Sequence, residues 1–230
     1  MMNFTLDGRL SVAAKFARQG ARFADVGTDH AYLPIFLLKT GRVDFAVCSD
    51  INAGPLENAR ENAIEAGVFD KIAFTLADGA AALEKFSPTD VAICGMGGEL
   101  IAGIIEKAPF LKKCGMRLIL QPMTRPAPLR KKLAALGFLI SAEEYSTAAG
   151  KHYVTICADF CDTPHTLSKT EAEFGREEFI ICGGEHARAY LEKKKNALSR
   201  AALGKTLGAA DSSDEAELLS YIESVIPRIK

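Results

Sequence analysis

Apolar and polar positions alternate along the first two thirds of the chain in two distinct rhythms. Leu6 to Arg18 repeats its apolar residues at helical spacing, and Ala21 to Val26 is a short apolar run ending in Asp25-Val26-Gly27. The same alternation predicts helices over Leu33–Thr40, Pro55–Ala66, Glu99–Lys107 and Leu129–Leu136. It predicts strands over Val43–Ser49, Lys71–Ala77, Asp90–Cys94 and Met116–Leu120. Pro34 and Pro55 sit where a first helical turn tolerates proline, and Gly67 and Gly137 stand where helices stop. Near-continuous apolar strands separated by helices imply a parallel sheet buried on both faces.

The rhythm then changes. Phe138–Ser146 and His152–Ala158 are strands with no helix between them, joined around Ala148-Ala149-Gly150, and they predict an antiparallel hairpin closing the sheet. From Thr163 onward the pattern is helical. Ala187–Leu203 and Ala216–Ile229 are the main helices, the second with a one-sided stripe of Leu218, Leu219, Ile222, Val225, Ile226 and Ile229. The fold class is therefore α/β, a Rossmann-like doubly wound sheet closed by a hairpin. Residues 1–162 read as the ligand-binding domain and 163–230 as a helical, coiled-coil-like arm.

Composition adds boundaries. The 230 residues are 48% hydrophobic and 25% charged, enough for a proper core, and no apolar run reaches the length of a membrane span. The N-terminal residues have neither the basic start nor the apolar stretch of a secretion signal. The six cysteines are scattered without a C-x-x-C pair, which suits reduced thiols in a cytoplasmic protein. Cys157, Cys161 and His165 have a regular spacing but no fourth partner, so no metal site is predicted. No obligatory protein partner is evident. The net charge of −1 leaves nucleic-acid binding to local patches.

The candidate chemistry lies in four loops at successive strand ends, where open α/β sheets bind ligands. The first is Asp25-Val26-Gly27-Thr28-Asp29-His30-Ala31-Tyr32. Gly27 supplies the tight turn of a nucleotide loop, but Asp29 and Tyr32 replace the second and third glycines of G-x-G-x-x-G. A carboxylate there repels a diphosphate and attracts an ammonium or sulfonium, so the loop favours S-adenosylmethionine over a dinucleotide. Asp50, followed by Ile51, is placed to accept hydrogen bonds from ribose hydroxyls. Asp78-Gly79 suits an adenine amino group, and Gly95-Met96-Gly97-Gly98 lets ligand approach the backbone closely.

With these residues in place, the sequence resembles the bacterial tRNA adenine-N1 methyltransferases that modify adenosine 22. The likeness is densest over Ala24–Pro34, Asn52–Leu56, Gly95–Gly98 and Leu118–Pro122, and D-x-G-x-D-H-A-Y-L-P is its most specific string. In that family Gln-Pro is usually followed by Asn, whereas Met123 stands here. The resemblance implies methyl transfer from S-adenosylmethionine to the N1 atom of an adenine in tRNA. The alternative is a related enzyme acting on another RNA or a small molecule.

Asp29, His30, Tyr32 and Gln121 are the catalytic candidates. Asp29 either supports the adenine as it gains positive charge or holds the cofactor ammonium or caps the next helix. His30 orients the methionine part of the cofactor or lines the base pocket. Tyr32 stacks on a base or is buried under the sheet edge, and Gln121 has an amide suited to an adenine edge. Arg9 contacts phosphate or the cofactor carboxylate, or is simply solvated. Seven basic residues and no acid between Leu111 and Lys132 predict phosphate contacts, with Arg125, Arg130, Lys131 and Lys132 the chosen candidates. Six basic residues against two acids between Glu185 and Leu207 form a second patch, equally readable as a solvated helix face.

Overall fold

Seven strands form one sheet in the order β3-β2-β1-β4-β5-β7-β6. The computed structural model describes residues 5–208 and 210–230; Met1–Phe4, where the sequence shows no leader pattern, and Ala209 lie outside it. Strands β1 (Arg22–Val26), β2 (Phe45–Asp50), β3 (Ile72–Leu76), β4 (Asp90–Gly97) and β5 (Arg117–Thr124) are parallel. Strands β6 (Phe138–Ala148) and β7 (Lys151–Phe160) close the sheet, β7 running antiparallel to both β5 and β6. Ala149 and Gly150 both take positive φ, of 48° and 69°, the two-residue turn whose twist matches a hairpin.

Helices α1 (Gly8–Phe16), α2 (Tyr32–Lys39), α3 (Ala53–Glu65), α4 (Gly98–Glu106) and α5 (Pro126–Ala135) cover the two faces. Asp7 accepts the Arg9 and Leu10 amides and so fixes the start of α1 just inside the predicted helix. One layer of core packs Phe23, Leu33, Ile35, Leu37 and Cys48 beneath α1, α2 and α3. The other packs Ile93, Ile101, Ile105, Leu118 and Leu133 beneath α4 and α5.

The sequence pattern ends the fourth strand at Cys94, but β4 continues through Gly97, paired to Pro122 and Thr124 across bulges at Cys94–Met96 and Met96–Gly97. Glycine lets the bulged backbone stay close to its neighbour. Helices α6 (Lys169–Phe174), α7 (Glu177–Ile181), α8 (Gly184–Leu207) and α9 (Ser213–Val225) make up the C-terminal region. A capping box between Ser168 and Glu171 starts α6. Phe174, Ile180, Ala187, Tyr190, Leu191, Leu218, Ile222, Val225 and Ile229 join the same apolar cluster as Tyr145, Val154 and Ile156 of the hairpin. The base of the arm is thus continuous with the sheet's core, while Leu207 at its tip is 80% exposed. Among the described residues no helix is long and apolar enough to cross a membrane.

Candidate functional site

All five parallel strands end on one edge, and the strand order reverses between β1 and β4, which opens a crevice there. Gly27 turns the chain out of β1 at φ 76°, and a Cβ on it would lie 2.1 Å from Met96 Cε. The amides of Gly27 and Thr28 both donate to the Ser49 carbonyl, at 2.8 and 3.1 Å, pinning the loop to the end of β2. The positive φ favours glycine, and any side chain there would also have to push the Met96 methyl aside.

Asp25, the last residue but one of β1, is bonded to this loop. Its carboxylate accepts the Thr28 hydroxyl at 2.6 Å and has no ion pair among the described residues. Burial pushes its pKa up to about 7, the nearby Asp50 charge pushes the same way, and only the Thr28 hydrogen bond opposes them. Asp29, His30 and Tyr32 stand outside as a separate group. His30 Nε2 is 3.3 Å from Asp29 Oδ2, and the His30 and Tyr32 rings stack with centroids 5.0 Å apart. Asp29 is 63% exposed and Tyr32 42%, so Tyr32 is not buried under the sheet edge. Nor does Asp29 cap α2, whose N-cap is Ala31, held at φ 53° without a side-chain hydrogen bond.

Asp50 ends β2 and accepts the Asn52 amide at 2.8 Å, with Ile51 exposed beside it. Asp78 is exposed in the loop after β3, which the Ala77 amide ties to the Asp50 carbonyl. Gly79, at φ 57°, leaves room for Ile104, and its carbonyl accepts the Ser49 hydroxyl at 3.3 Å. Gly95, Met96 and Gly97 complete the rim as the bulged end of β4. The structure therefore gathers the ends of β1, β2, β3 and β4 around one crevice, with acids from three of them.

Gln121 requires a correction. It is fully buried within β5, which runs past the predicted end at Leu120 to Thr124; its Oε1 accepts the Gly95 amide at 3.2 Å and Arg9 Nη1 at 3.4 Å, and its Nε2 donates to the Pro122 carbonyl. The amide braces the β4–β5 rim and does not present itself to a base. Arg9 is no solvated arginine either. It is clamped by Asp7, touches Met123 Sδ at 3.2 Å and lies over the Tyr153 ring.

The first basic patch does not survive folding as one surface. Lys112 and Lys113 precede β5 and line a cavity of about 680 Å3 at the opposite edge of the sheet, away from every candidate site residue. Arg117 is paired with Asp159. Arg130, predicted to contact phosphate, is fully buried: it pairs with Glu143 at 2.7 Å and donates to the Ala172 and Glu173 carbonyls at the end of α6. Lys132 pairs with Glu106 and Arg125 with Glu99, while Lys131 is exposed. Among the described residues no group of three or more His, Cys, Asp or Glu is placed to hold a metal ion.

Comparison with known proteins shows what the chain is similar to. Residues 6–156 match the family model described as a methyltransferase domain. The Bacillus subtilis tRNA (adenine(22)-N(1))-methyltransferase is 28% identical over 198 residues, covering 86% of this chain and 79% of its own length. A candidate tRNA (m1A22) methyltransferase from Streptococcus pneumoniae is 32% identical and superposes with a TM-score of 0.84, covering 96% of this chain and 100% of that one. The same Streptococcus pneumoniae protein in complex with S-adenosyl-L-methionine superposes with a TM-score of 0.81 at 32% identity, over 95% of this chain and 98% of that one.

Proposed function

This chain belongs to the tRNA (adenine(22)-N1)-methyltransferase family of class I methyltransferases, and we propose that it methylates the N1 atom of adenosine 22 in tRNA with S-adenosylmethionine. The observation that carries this reading is the crevice itself: glycine turns and acids from successive strand ends converge beside an exposed pair of stacked rings. The donor set suits a cationic, phosphate-free cofactor. Asp25 is a buried carboxylate without a counterion, and Asp29 stands where a diphosphate would be repelled. Asp50 would hold the ribose and Asp78 the adenine. The backbone at Gly27 and Gly95–Gly97 would allow close approach of the remainder.

When bound, S-adenosylmethionine supplies an electrophilic methyl group. The N1 atom of adenine carries its own in-plane lone pair, so the protein's work is to unstack the base, orient it and support the charge it acquires. The exposed His30–Tyr32 pair offers a stacking face at the rim. Asp29 presents a carboxylate beside it, where positive charge grows on the ring. Gln121 acts one layer behind, holding Gly95 in place. We place the reaction in the cytoplasm, where unmodified tRNA is found and the six free thiols stay reduced. The arm after residue 162 is assigned to holding the tRNA body.

The test is incubation with labelled cofactor and unmodified bacterial tRNA, followed by digestion and mapping of the labelled nucleoside. N1-methyladenosine at position 22 is the expected product. Label at another nucleotide, or on a small molecule alone, refutes the assignment.

A further inference from the structure

A second cleft, of about 170 Å3, lies where the arm meets the catalytic edge. The end of β5 contributes Met123, the turn before α5 contributes Arg125, the start of β7 contributes His152 and Tyr153, and α8 contributes Lys193 and Lys194. Met123 is two residues beyond Gln121, and Arg9 touches both Met123 and the Tyr153 ring. The cleft is therefore continuous with the braced rim of the crevice.

Its charge is unbalanced. Lys193 is exposed and makes no ion pair among the described residues. The acid nearest Lys194 is Glu173, at 4.0 Å, the outer limit of an ion pair. Arg125 is shared with Glu99. Lys194 is only 30% exposed, its ammonium 5.8 Å from the Tyr190 ring centroid, and burial holds its pKa below the usual lysine range. Withdrawing an ammonium from water without a close counterion is unfavourable, and an incoming anion removes that penalty. The walls are aromatic and the mouth is cationic, a lining that accepts a nucleic-acid backbone with its phosphate at the lysines.

We infer that this cleft seats a backbone phosphate of the RNA substrate next to the methylated nucleotide, gripped by Lys193 and Lys194 of the arm with Arg125 opposite. This rests on the tRNA reading above. It gives the arm a defined role: the same phosphate is held by α8 and by the turn that follows the Gln121 strand, so docking of the tRNA body and placement of the base are one event. The lysine pair at the opposite edge, Lys112 and Lys113, carries equal charge into a larger cavity far from the crevice, and it serves as the internal reference.

Steady-state methylation of unmodified tRNA is measured at several salt concentrations for the wild type, K193Q/K194Q, K193R/K194R and K112Q/K113Q, with affinity for S-adenosylhomocysteine measured in parallel. K193Q/K194Q should raise the KM for tRNA at least about tenfold while kcat and S-adenosylhomocysteine affinity change by less than about twofold. The slope of log KM against log salt should fall by roughly 0.7–0.9 for each phosphate that the lysines no longer neutralise. K193R/K194R should keep the wild-type KM, and K112Q/K113Q should shift it by less than about twofold. Equal KM changes in the two glutamine doubles, an unchanged KM in K193Q/K194Q, or an arginine double as impaired as the glutamine one each overturn the cleft while leaving the methylation reading intact. Wild-type protein that does not methylate tRNA overturns both.

Discussion

Among the described residues three carboxylates are buried, and two of them, Asp25 at the ligand edge and Glu143 where β6 meets the arm, have surroundings that differ in kind. Glu143 faces the guanidinium of Arg130, itself fully buried and bonded to the last carbonyls of α6. Burial pushes the Glu143 pKa up, and the Arg130 charge and hydrogen bond pull against it. Gly175, at φ 91°, passes so close that a Cβ would fall on the Glu143 carboxylate. Asp25 has only a hydroxyl, and its pKa rises to about 7. The junction brings its own counterion. The ligand edge leaves a negative charge uncompensated, as a site built for a cation should.

Breaking the junction pair gives the largest expected effect. Arg130→Ala strands Glu143 and frees the α6 carbonyls, and removing one partner of a buried pair costs about 3–5 kcal/mol. Chemical denaturation should show that loss, whereas the double variant R130M/E143L should recover most of it, because two apolar side chains need no counterion. A stability loss below about 1 kcal/mol for Arg130→Ala would show the pair to be solvated and the contrast with Asp25 to be false.

This junction is also where the sequence is least legible. The alternation of strands and helices, the closing hairpin and the four strand-end loops can be read from local pattern, because each depends on residues near one another in the chain. Arg130 reads as part of a basic run because charge is visible in a sequence and a partner is not. One local signal exists: Arg130 precedes the buried Leu133 and Ala134 by three and four residues, so it shares their helix face. Glu143 has none. The irregularity between Ile140 and Ala142 shifts the β6 register and turns Glu143 and Tyr145 inward, where strict alternation would have pointed Ala142 and Glu144. Gln121 misleads in a similar way, since its place after the apolar run Met116–Leu120 is local but its hydrogen bonds to Gly95 and Arg9 span long stretches of chain.

Asp25→Asn tests the other half of the contrast through pH. Asp25 ionises near 3.8 when unfolded and near 7 when folded, so the folded state binds its proton more tightly. Its contribution is fully favourable below about pH 4 and is lost as pH rises toward 7. Asparagine retains an acceptor for Thr28 and carries no charge, so the variant should gain stability over the wild type from pH 5 to pH 8, by on the order of 2–4 kcal/mol. Saturating S-adenosylmethionine should narrow that gap, because a bound cation favours the ionised wild type. Parallel stability profiles for the two proteins would mean that Asp25 is not withdrawn from water.

The smallest expected effect separates Asp25 from its neighbour Asp29. Asp29 is exposed and already beside His30, so Asp29→Asn should leave folding stability unchanged within about 0.5 kcal/mol. Its charge matters only where the adenine ring becomes positive, late in methyl transfer, and its loss should slow the single-turnover rate at least about tenfold. Cofactor affinity should stay near that of the wild type, since the buried Asp25 and the Asp50 carboxylate remain. If Asp29 instead holds the cofactor ammonium, the two readouts exchange: titration weakens and the rate at saturating cofactor is normal. That outcome would make Asp29 and Asp25 parts of one cation site, and the stacked His30–Tyr32 pair would face the base without a carboxylate beside it. Single-turnover rates and cofactor titrations on the same preparation decide between the two arrangements.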